Sequence, residues 1–275
     1  MPGALPDRYA LLGHPVSHSW SPFIHGLFAR QFGHAIDYKL VDVEPDEFRK
    51  AVIGFFVDGG KGLNVTLPHK QAAAEVVNEL TPRAARAGAV NTIVARDSMQ
   101  LLGDNTDGAG LVTDLADNLG IGLEGARILV LGAGGAVRGV LAPLLQRRPA
   151  EIRIANRTRE RAERLAQEFG DLGRITASGF GDAGGGWNLV INATSAGLGG
   201  EVPGLPVGAI EPGTVCYDMS YGRADTPFLA WAARLGATRC HKGWGMLVEQ
   251  AAEAYRLWRG VRPDTRSVIE ALASA

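Results

Sequence analysis

The residues able to do chemistry sit in short segments between apolar runs. Asn64-Val-Thr66-Leu-Pro68-His69-Lys70 puts a lysine in the first turn of a predicted helix. There the positive end of the helix dipole disfavours an ammonium. Such a lysine is either tolerated or serves to bind or transfer protons. Gly103-Asp104-Asn105-Thr106-Asp107-Gly108 has the composition of a turn that opens a helix. Capping would account for Asp104 or Asp107, whereas a carboxylate beside Lys70 would make an acid/base pair. Spacing leaves both readings open. Gly13-His-Pro-Val-Ser17-His18-Ser19-Trp20-Ser21-Pro22 offers hydroxyls for a carboxylate or a sugar-like ring, or for capping the helix that Pro22 starts. Capping is the expected role of Ser21, with Ser19 open. The six histidines show neither metal spacing nor a triad arrangement, and Cys216 and Cys240 read as small buried hydrophobes.

A different chemistry is written in Ile128-Leu-Val-Leu-Gly132-Ala133-Gly134-Gly135-Ala136-Val137, an apolar strand running through a glycine turn into a helix. Backbone free of side chains can approach a pyrophosphate, and the helix end offers unpaired N–H groups. Val137 holds the last glycine position of the usual G-x-G-x-x-G, so placement between strand and helix carries this reading. The next strand ends in Asn156-Arg157-Thr158-Arg159-Glu160-Arg161, where a site for a plain ribose would end in Asp or Glu. Donors in place of an acceptor suit a 2′-phosphate. From Arg147 to Arg164 seven arginines face three glutamates. A solvated helix face accounts for Arg147, Arg148, Arg159 and Arg164, and fits Arg157 less well.

These segments need an α/β frame. Strands are predicted near Arg8–Gly13, Ala35–Val43, Gly62–Thr66 and Val90–Arg96, and helices near Ser21–Gly33, Pro45–Phe56 and Pro68–Leu80, with Pro45 and Pro68 as helix starts. The middle third is more regular and Rossmann-like. It reads as strand Arg127–Leu131, helix Ala136–Gln146, strand Ile152–Ala155, helix Arg159–Phe169, strands Leu189–Asn192 and Val215–Asp218, and helix Pro227–Leu235. Helices Met246–Arg259 and Asp264–Ala273 close the chain, and a boundary is placed near Asp104–Asp107.

With 275 residues the chain has room for two domains. Hydrophobic residues at 46% and charged residues at 21% are ordinary globular values, which excludes disorder, collagen and coiled coil. A net charge of −1 lacks the positive field for general nucleic-acid or anionic-membrane binding, so any anion site must be local. The uncharged stretches Tyr9 to Ala29 and Ala183 to Gly200 are too polar, or too rich in glycine, to span a bilayer. Without a basic start and apolar run at the N-terminus, the expected location is cytoplasmic.

Together the segments resemble the shikimate dehydrogenase family from Gly13 to Gly260-Val-Arg-Pro263. The resemblance is carried by Ser19-Trp-Ser21-Pro22, Asn64-Val-Thr66-x-Pro68-x-Lys70, Gly88-Ala-Val-Asn91-Thr92, Gly103-Asp-Asn-Thr-Asp107-Gly108, the glycine turn and Asn156-Arg-Thr-x-x-Arg161. Asn192-Ala-Thr-Ser195, Tyr217-Asp-Met219-x-Tyr221 and Gly243-x-x-Met246-Leu-Val-x-Gln250 extend it. It implies reversible reduction of 3-dehydroshikimate to shikimate with NADPH in aromatic amino acid biosynthesis, with no metal. Lys70 and Asp107 would be the catalytic pair, and Ser19, Ser21, Thr66, Asn91, Tyr221 and Gln250 the substrate site. Gly132, Ala133, Gly134, Gly135, Ala136, Asn156, Arg157, Thr158, Arg161, Met219 and Gly243 would hold NADP. The implied organisation is a substrate-binding and catalytic domain over 1–106, to which 243–275 returns, and a Rossmann-like NADP domain over 107–242. The partner expected is the small-molecule substrate, with no nucleic acid or membrane, in a monomer or homodimer. Alternatives are a quinate or aminoshikimate dehydrogenase of the same family, or a non-catalytic nucleotide-binding regulator. One departure is Lys242-Gly243-Trp244-Gly245, where the family usually has Asp-Gly. It puts a positive charge and a bulky ring near the expected nicotinamide edge.

Overall fold

The computed structural model describes residues 5–96, 100–194, 202–222 and 224–274, the side chains of 273 and 274 excepted. Ser195 of the Asn192-Ala-Thr-Ser195 motif lies outside the described residues. The chain forms two compact units, Met1–Gly110 with Val248–Ala275, and Leu111–Leu247. Among the described residues no helix is long and apolar enough to cross a membrane.

In the first unit a six-stranded mixed sheet has the order β2-β1-β3-β5-β6-β4. Its strands are β1 (Asp7–Gly13), β2 (Ile36–Asp42), β3 (Gly62–Val65), β4 (Glu79–Leu80), β5 (Thr92–Ala95) and β6 (Leu101–Asp104). The apolar run of β1 pairs in parallel with β2 on one side and β3 on the other, which buries Tyr9 through Leu12. One face is covered by Phe48, Val52 and Phe56 of α2 (Phe48–Val57), Ala73 of α3 (Lys70–Val76) and Ala84 of α4 (Pro82–Ala87). Helix α1 (Ser21–Phe32) stops at Gly33, whose left-handed φ of 64° returns its N–H to the last turn.

Several sequence expectations need correction. The segment predicted as one helix, Pro68–Leu80, is α3 followed by β4. Val77 turns extended and Asn78 bonds both ways with Leu101, which sets β4 beside β6. Neither Pro45 nor Pro68 opens a helix, because a turn at Glu44–Glu47 precedes α2 and another at Thr66–His69 precedes α3. Ser21 is the first residue of α1, and it is the hydroxyl of Ser19 that accepts the Ser21 N–H.

The second unit holds six parallel strands in the order β12-β11-β10-β7-β8-β9. They are β7 (Arg127–Leu131), β8 (Glu151–Ala155), β9 (Ile175–Ser178), β10 (Leu189–Asn192), β11 (Val215–Asp218) and β12 (Arg239–Lys242). In chain order this is the doubly wound 3-2-1-4-5-6 arrangement, with its switch point between β7 and β10. Helices α6 (Gly135–Gln146) and α7 (Arg159–Phe169) bury Val137, Val140, Leu144, Ala162 and Leu165 on one face. Phe228, Leu229 and Ala232 of α8 (Pro227–Arg234) cover the other with Trp187. Helix α5 (Asp107–Thr113), continued by a π-helical turn Asp114–Asn118, and α9 (Trp244–Arg259) each pass from one unit into the other, and α10 (Arg266–Ser274) ends the chain.

His25 of α1 is 1% exposed and stacks on Tyr38, with Trp258 at 5.2 Å and Phe28 at 5.9 Å between ring centroids. Among the described residues neither ring nitrogen has a hydrogen-bond partner of good geometry, and burial, opposed by Asn64, pushes the imidazole down to about 3. A folded-state value below the unfolded one gives stability that is complete above about pH 6.5 and is lost as pH falls toward 3. By pH 5 the loss from this group is about 2 kcal/mol. Substituting His25→Phe keeps the ring stack and removes the titration. Thermal melts at pH 7 and pH 5 should therefore show a smaller drop for the variant than for the wild type, and equal drops would refute the assignment.

Candidate active site

Strand β3 delivers the chain to the turn from which α3 starts, and β6 delivers it through Asn105 and Thr106 to the start of α5. Lys70 and Asp107 are the first residues of those two helices. Their side chains meet, with Lys70 Nζ donating to Asp107 Oδ2 at 2.5 Å, and they are only 16% and 8% exposed. The helix start favours the Asp107 carboxylate, and that carboxylate in turn offsets the cost of an ammonium at the start of α3. One N–H of Lys70 is committed to Asp107, which leaves donors for a substrate oxygen.

Asn91, 2% exposed, holds the carboxylate from its other side. Its amide donates to Asp107 Oδ1 at 2.9 Å, Thr106 Oγ1 at 2.9 Å and Gln250 Oε1 at 3.3 Å, while its Oδ1 accepts the Thr106 N–H at 2.9 Å. Asn64 donates to the Asn91 carbonyl and to Thr92 Oγ1, and Tyr38 donates to Asn64 Oδ1 at 2.7 Å. The Ser21 hydroxyl takes a bond from Ser19 at 3.1 Å and interacts with the Tyr38 phenol. The structure thus brings Ser19, Ser21, Asn91, Gln250, Lys70 and Asp107 into one polar chain. Two links, Tyr38 and Asn64, escaped the sequence reading. Asn64 lay inside a motif already singled out, whereas nothing in β2 distinguishes Tyr38 from any strand tyrosine. Burial raises its phenol well above the ordinary range. The Thr66 side chain packs against Gly13, where a Cβ would overlap its methyl.

The remaining substrate candidate, Tyr221, belongs to the second unit, where its ring lies 5.0 Å from that of Trp244. Burial raises its hydroxyl too. In the same unit Gly132 follows β7 with φ 108°, and a Cβ there would lie 3.2 Å from the carbonyl of Ala193, just past the end of β10. Only glycine lets the chain turn so close to the switch point. Gly134 precedes α6 and Gly135 opens it, both facing open space with no atom within 4 Å of a built Cβ, while Ala133 and Ala136 are half-buried beside them. Val137 is fully buried, so the third-glycine position serves the core. Beyond β8, Asn156 donates to the Thr158 carbonyl at 2.8 Å, and Thr158 stands just before α7. Arg157 and Arg161 are exposed and take no carboxylate partner among the described residues, whereas Arg159 is bonded to Glu163 and Arg148 to Glu124. Met219 and Gly243 touch, since a Cβ on Gly243 would overlap the Met219 carbonyl. Their loop is pinned by buried Asp218, which accepts from Asn192, Thr226 and the Ser220 N–H. These parts fit a dinucleotide with an added phosphate: a side-chain-free turn at a helix start, and two unpaired arginines at the neighbouring strand end.

Family models match along the chain: the shikimate dehydrogenase substrate binding domain over residues 11–93, the shikimate / quinate 5-dehydrogenase over 114–197, and the shikimate 5'-dehydrogenase C-terminal domain over 243–273. A shikimate dehydrogenase (NADP(+)) of Aeromonas salmonicida is 55% identical over 97% of both chains. Among solved structures, an Ael1 enzyme from Pseudomonas putida superposes with a TM-score of 0.91 at 44% identity, covering 97% of this chain and 98% of its own. The shikimate 5-dehydrogenase of Thermus thermophilus in complex with NADP(H) and shikimate does so at 0.86 and 34%, covering 98% of each.

The contact of Gly243 with backbone yields a direct test. Gly243→Ala must push the β12–α9 corner away from Met219, since the opposing atom is a carbonyl and not a flexible side chain. A loss of about 1–3 kcal/mol is expected, read as a fall in the thermal midpoint. An unchanged midpoint would show that the corner yields freely.

Proposed function

Since the chain belongs to the shikimate dehydrogenase family, we propose that it is an NADP-dependent oxidoreductase interconverting 3-dehydroshikimate and shikimate. The observation that carries this reading is the partly buried Lys70–Asp107 pair, clamped by Asn91 beside Gln250. The first unit would bind the substrate and the second the cofactor. Gly132 through Ala136, Asn156, Arg157, Thr158, Arg161, Met219 and Gly243 would hold NADPH, which supplies the hydride when bound.

Reduction of the ring ketone leaves an alkoxide that must gain a proton in place. In our reading Lys70 donates it from Nζ and takes it back in the oxidative direction, while Asp107 keeps the lysine oriented and offsets its charge. Asn91 commits its amide to Asp107 Oδ1, so the carboxylate turns its other oxygen to Lys70. Ser19 and Ser21 offer hydroxyls suited to the substrate carboxylate, and Thr66, Tyr221 and Gln250 offer polar atoms for the ring hydroxyls. Arg157 and Arg161, which no acidic side chain among the described residues neutralises, would take the 2′-phosphate.

Absorbance of the reduced nicotinamide with shikimate, quinate or no acid, each with NADP or NAD, tests the assignment. Rapid turnover is expected with shikimate and NADP; turnover with quinate alone would shift the substrate, and none with either acid would leave a nucleotide-binding protein. Lys70→Ala should lower turnover by about 10²-fold or more with little change in shikimate affinity, and near-normal turnover would remove Lys70 from the chemistry. Arg157→Ala should raise the KM for NADP about tenfold to a hundredfold, as expected for a lost charge-assisted bond of about 1.5–3 kcal/mol, and leave that for NAD unchanged. Equal losses with both cofactors would instead mark Arg157 as part of a solvated surface.

A further inference from the structure

A second polar assembly in the first unit touches none of the reacting groups. Asp104, 1% exposed, receives Arg83 in a bidentate fork, Nε to Oδ1 and Nη2 to Oδ2, both at 2.6 Å. The same Nη2 donates to Glu253 Oε1 at 2.9 Å. Glu253 also accepts from Arg256 at 2.8 and 3.0 Å and from Arg262 at 3.2 Å, and Arg262 reaches Glu249 at 2.6 Å. Hydrogen bonds from Arg256, then from Arg83, hold the Glu253 carboxyl at about 2 against its burial. Three arginines and three carboxylates balance in charge.

The placement of the carboxylates along the chain gives the assembly its meaning. Asp104 ends β6 and accepts the Asn105 N–H at 2.7 Å and the Thr81 hydroxyl at 2.6 Å. The Asn105 side chain in turn accepts the Asp107 N–H at 3.2 Å and donates to the Ala89 carbonyl at 3.1 Å. A disturbance at Asp104 therefore reaches Asp107 through one residue. On α9, Glu249 adjoins Gln250 and Glu253 lies one turn further. Among the described residues Arg83 is the one side chain bonded to both Asp104 and Glu253, which stand beside the two groups that Asn91 must bridge.

We propose that Arg83 is a positioning residue: by gripping Asp104 and Glu253 with one guanidinium, it fixes the separation of Asp107 and Gln250 about Asn91. This rests on the reading of Lys70 and Asp107 as the reacting pair. Lysine cannot replace it fully, because a point ammonium lacks the planar fork that binds both oxygens of Asp104 while reaching Glu253. Without a cationic partner, the buried Asp104 carboxylate, left with the Thr81 hydroxyl and the Asn105 N–H, must protonate, rotate or draw in water, and each of these loosens its hold on Asn105.

The test compares wild type, Arg83→Lys, Arg83→Met and the charge-balanced double variant Arg83→Met with Asp104→Asn, using kcat, both KM values and thermal midpoints. In Arg83→Met, kcat per folded molecule should fall about tenfold or more and the KM for shikimate should rise, while the KM for NADP stays within twofold. Arg83→Lys should lie between it and wild type. The double variant, which keeps an acceptor for Asn105 without an unpaired charge, should recover part of kcat. A lower thermal midpoint with unchanged kcat would overturn the proposal and leave a purely structural network. A KM for NADP that worsens in step would overturn it as general loosening. Should Arg83→Met not fold, Arg83→Lys decides by the same measures. A wild type inactive toward shikimate would fail the reading of the reacting pair, whereas an active wild type with unaffected variants would fail the role of Arg83.

Discussion

Burying a lysine beside an aspartate is costly unless both are fixed and their remaining bonds satisfied, and this constraint organises the first unit. Asn91 meets it at one oxygen of Asp107, and Lys70 at the other. Asn91 can do so because its own carbonyl accepts from Val65 and Asn64, and its N–H donates to Asp104. Strands β3, β5 and β6 therefore meet at this residue, where β5 runs antiparallel to both neighbours. That reversal in an otherwise parallel arrangement brings the start of α5 back beside the start of α3. The mixed sheet and the ion pair are two aspects of one geometry.

The second unit answers a different constraint, close approach of backbone to backbone. At the switch point Gly132 must pass the end of β10, and at the β12–α9 corner Gly243 must pass Met219. Both places lie at carboxyl ends of parallel strands, where such sheets leave a crevice for ligands. Glycine is needed there first by the fold, and the bare backbone that results is what a pyrophosphate can approach.

Legibility in the sequence followed burial. Strands β7, β8, β10 and β11 are central and nearly all apolar, and each was placed to within a residue. Of the four strands missed, β4, β9 and β12 are edge strands that borrow their conformation from a neighbour, and β6 is a four-residue strand, Leu-Leu-Gly-Asp, whose polar end reads as the turn that follows it. β12 reads Arg-Cys-His-Lys and β4 has two residues, so neither offers a period to detect. The same holds for the site. Lys70, Asp107 and Asn91 stand in recognisable segments, but that Asn91 joins Asp107 to Gln250 is a tertiary fact across 159 residues of chain. Asp104 shows the limit most clearly, because turn composition suggested a cap whereas its carboxylate is taken by Arg83.

The departure at Lys242-Gly243-Trp244-Gly245 becomes intelligible on the same terms. The cation that stands where a family acid is usual pairs with Asp225 at 3.5 Å, so its charge is answered locally. The indole of Trp244 opens α9 against Tyr221, flanked by two glycines that have no room for a Cβ. Gly243 is confined by the Met219 carbonyl and Gly245 by the carboxylate of Asp114, which is itself held by the Tyr217 hydroxyl at 2.7 Å. Asp114 begins the π-helical turn that continues the helix headed by Asp107. The large ring is therefore inserted between two fixed points of backbone, one tied to the cofactor candidates and one to the helix of the reacting carboxylate. A bulky residue at this corner need not loosen it: between two confined flanks, the half-buried indole packs against the ring of Tyr221.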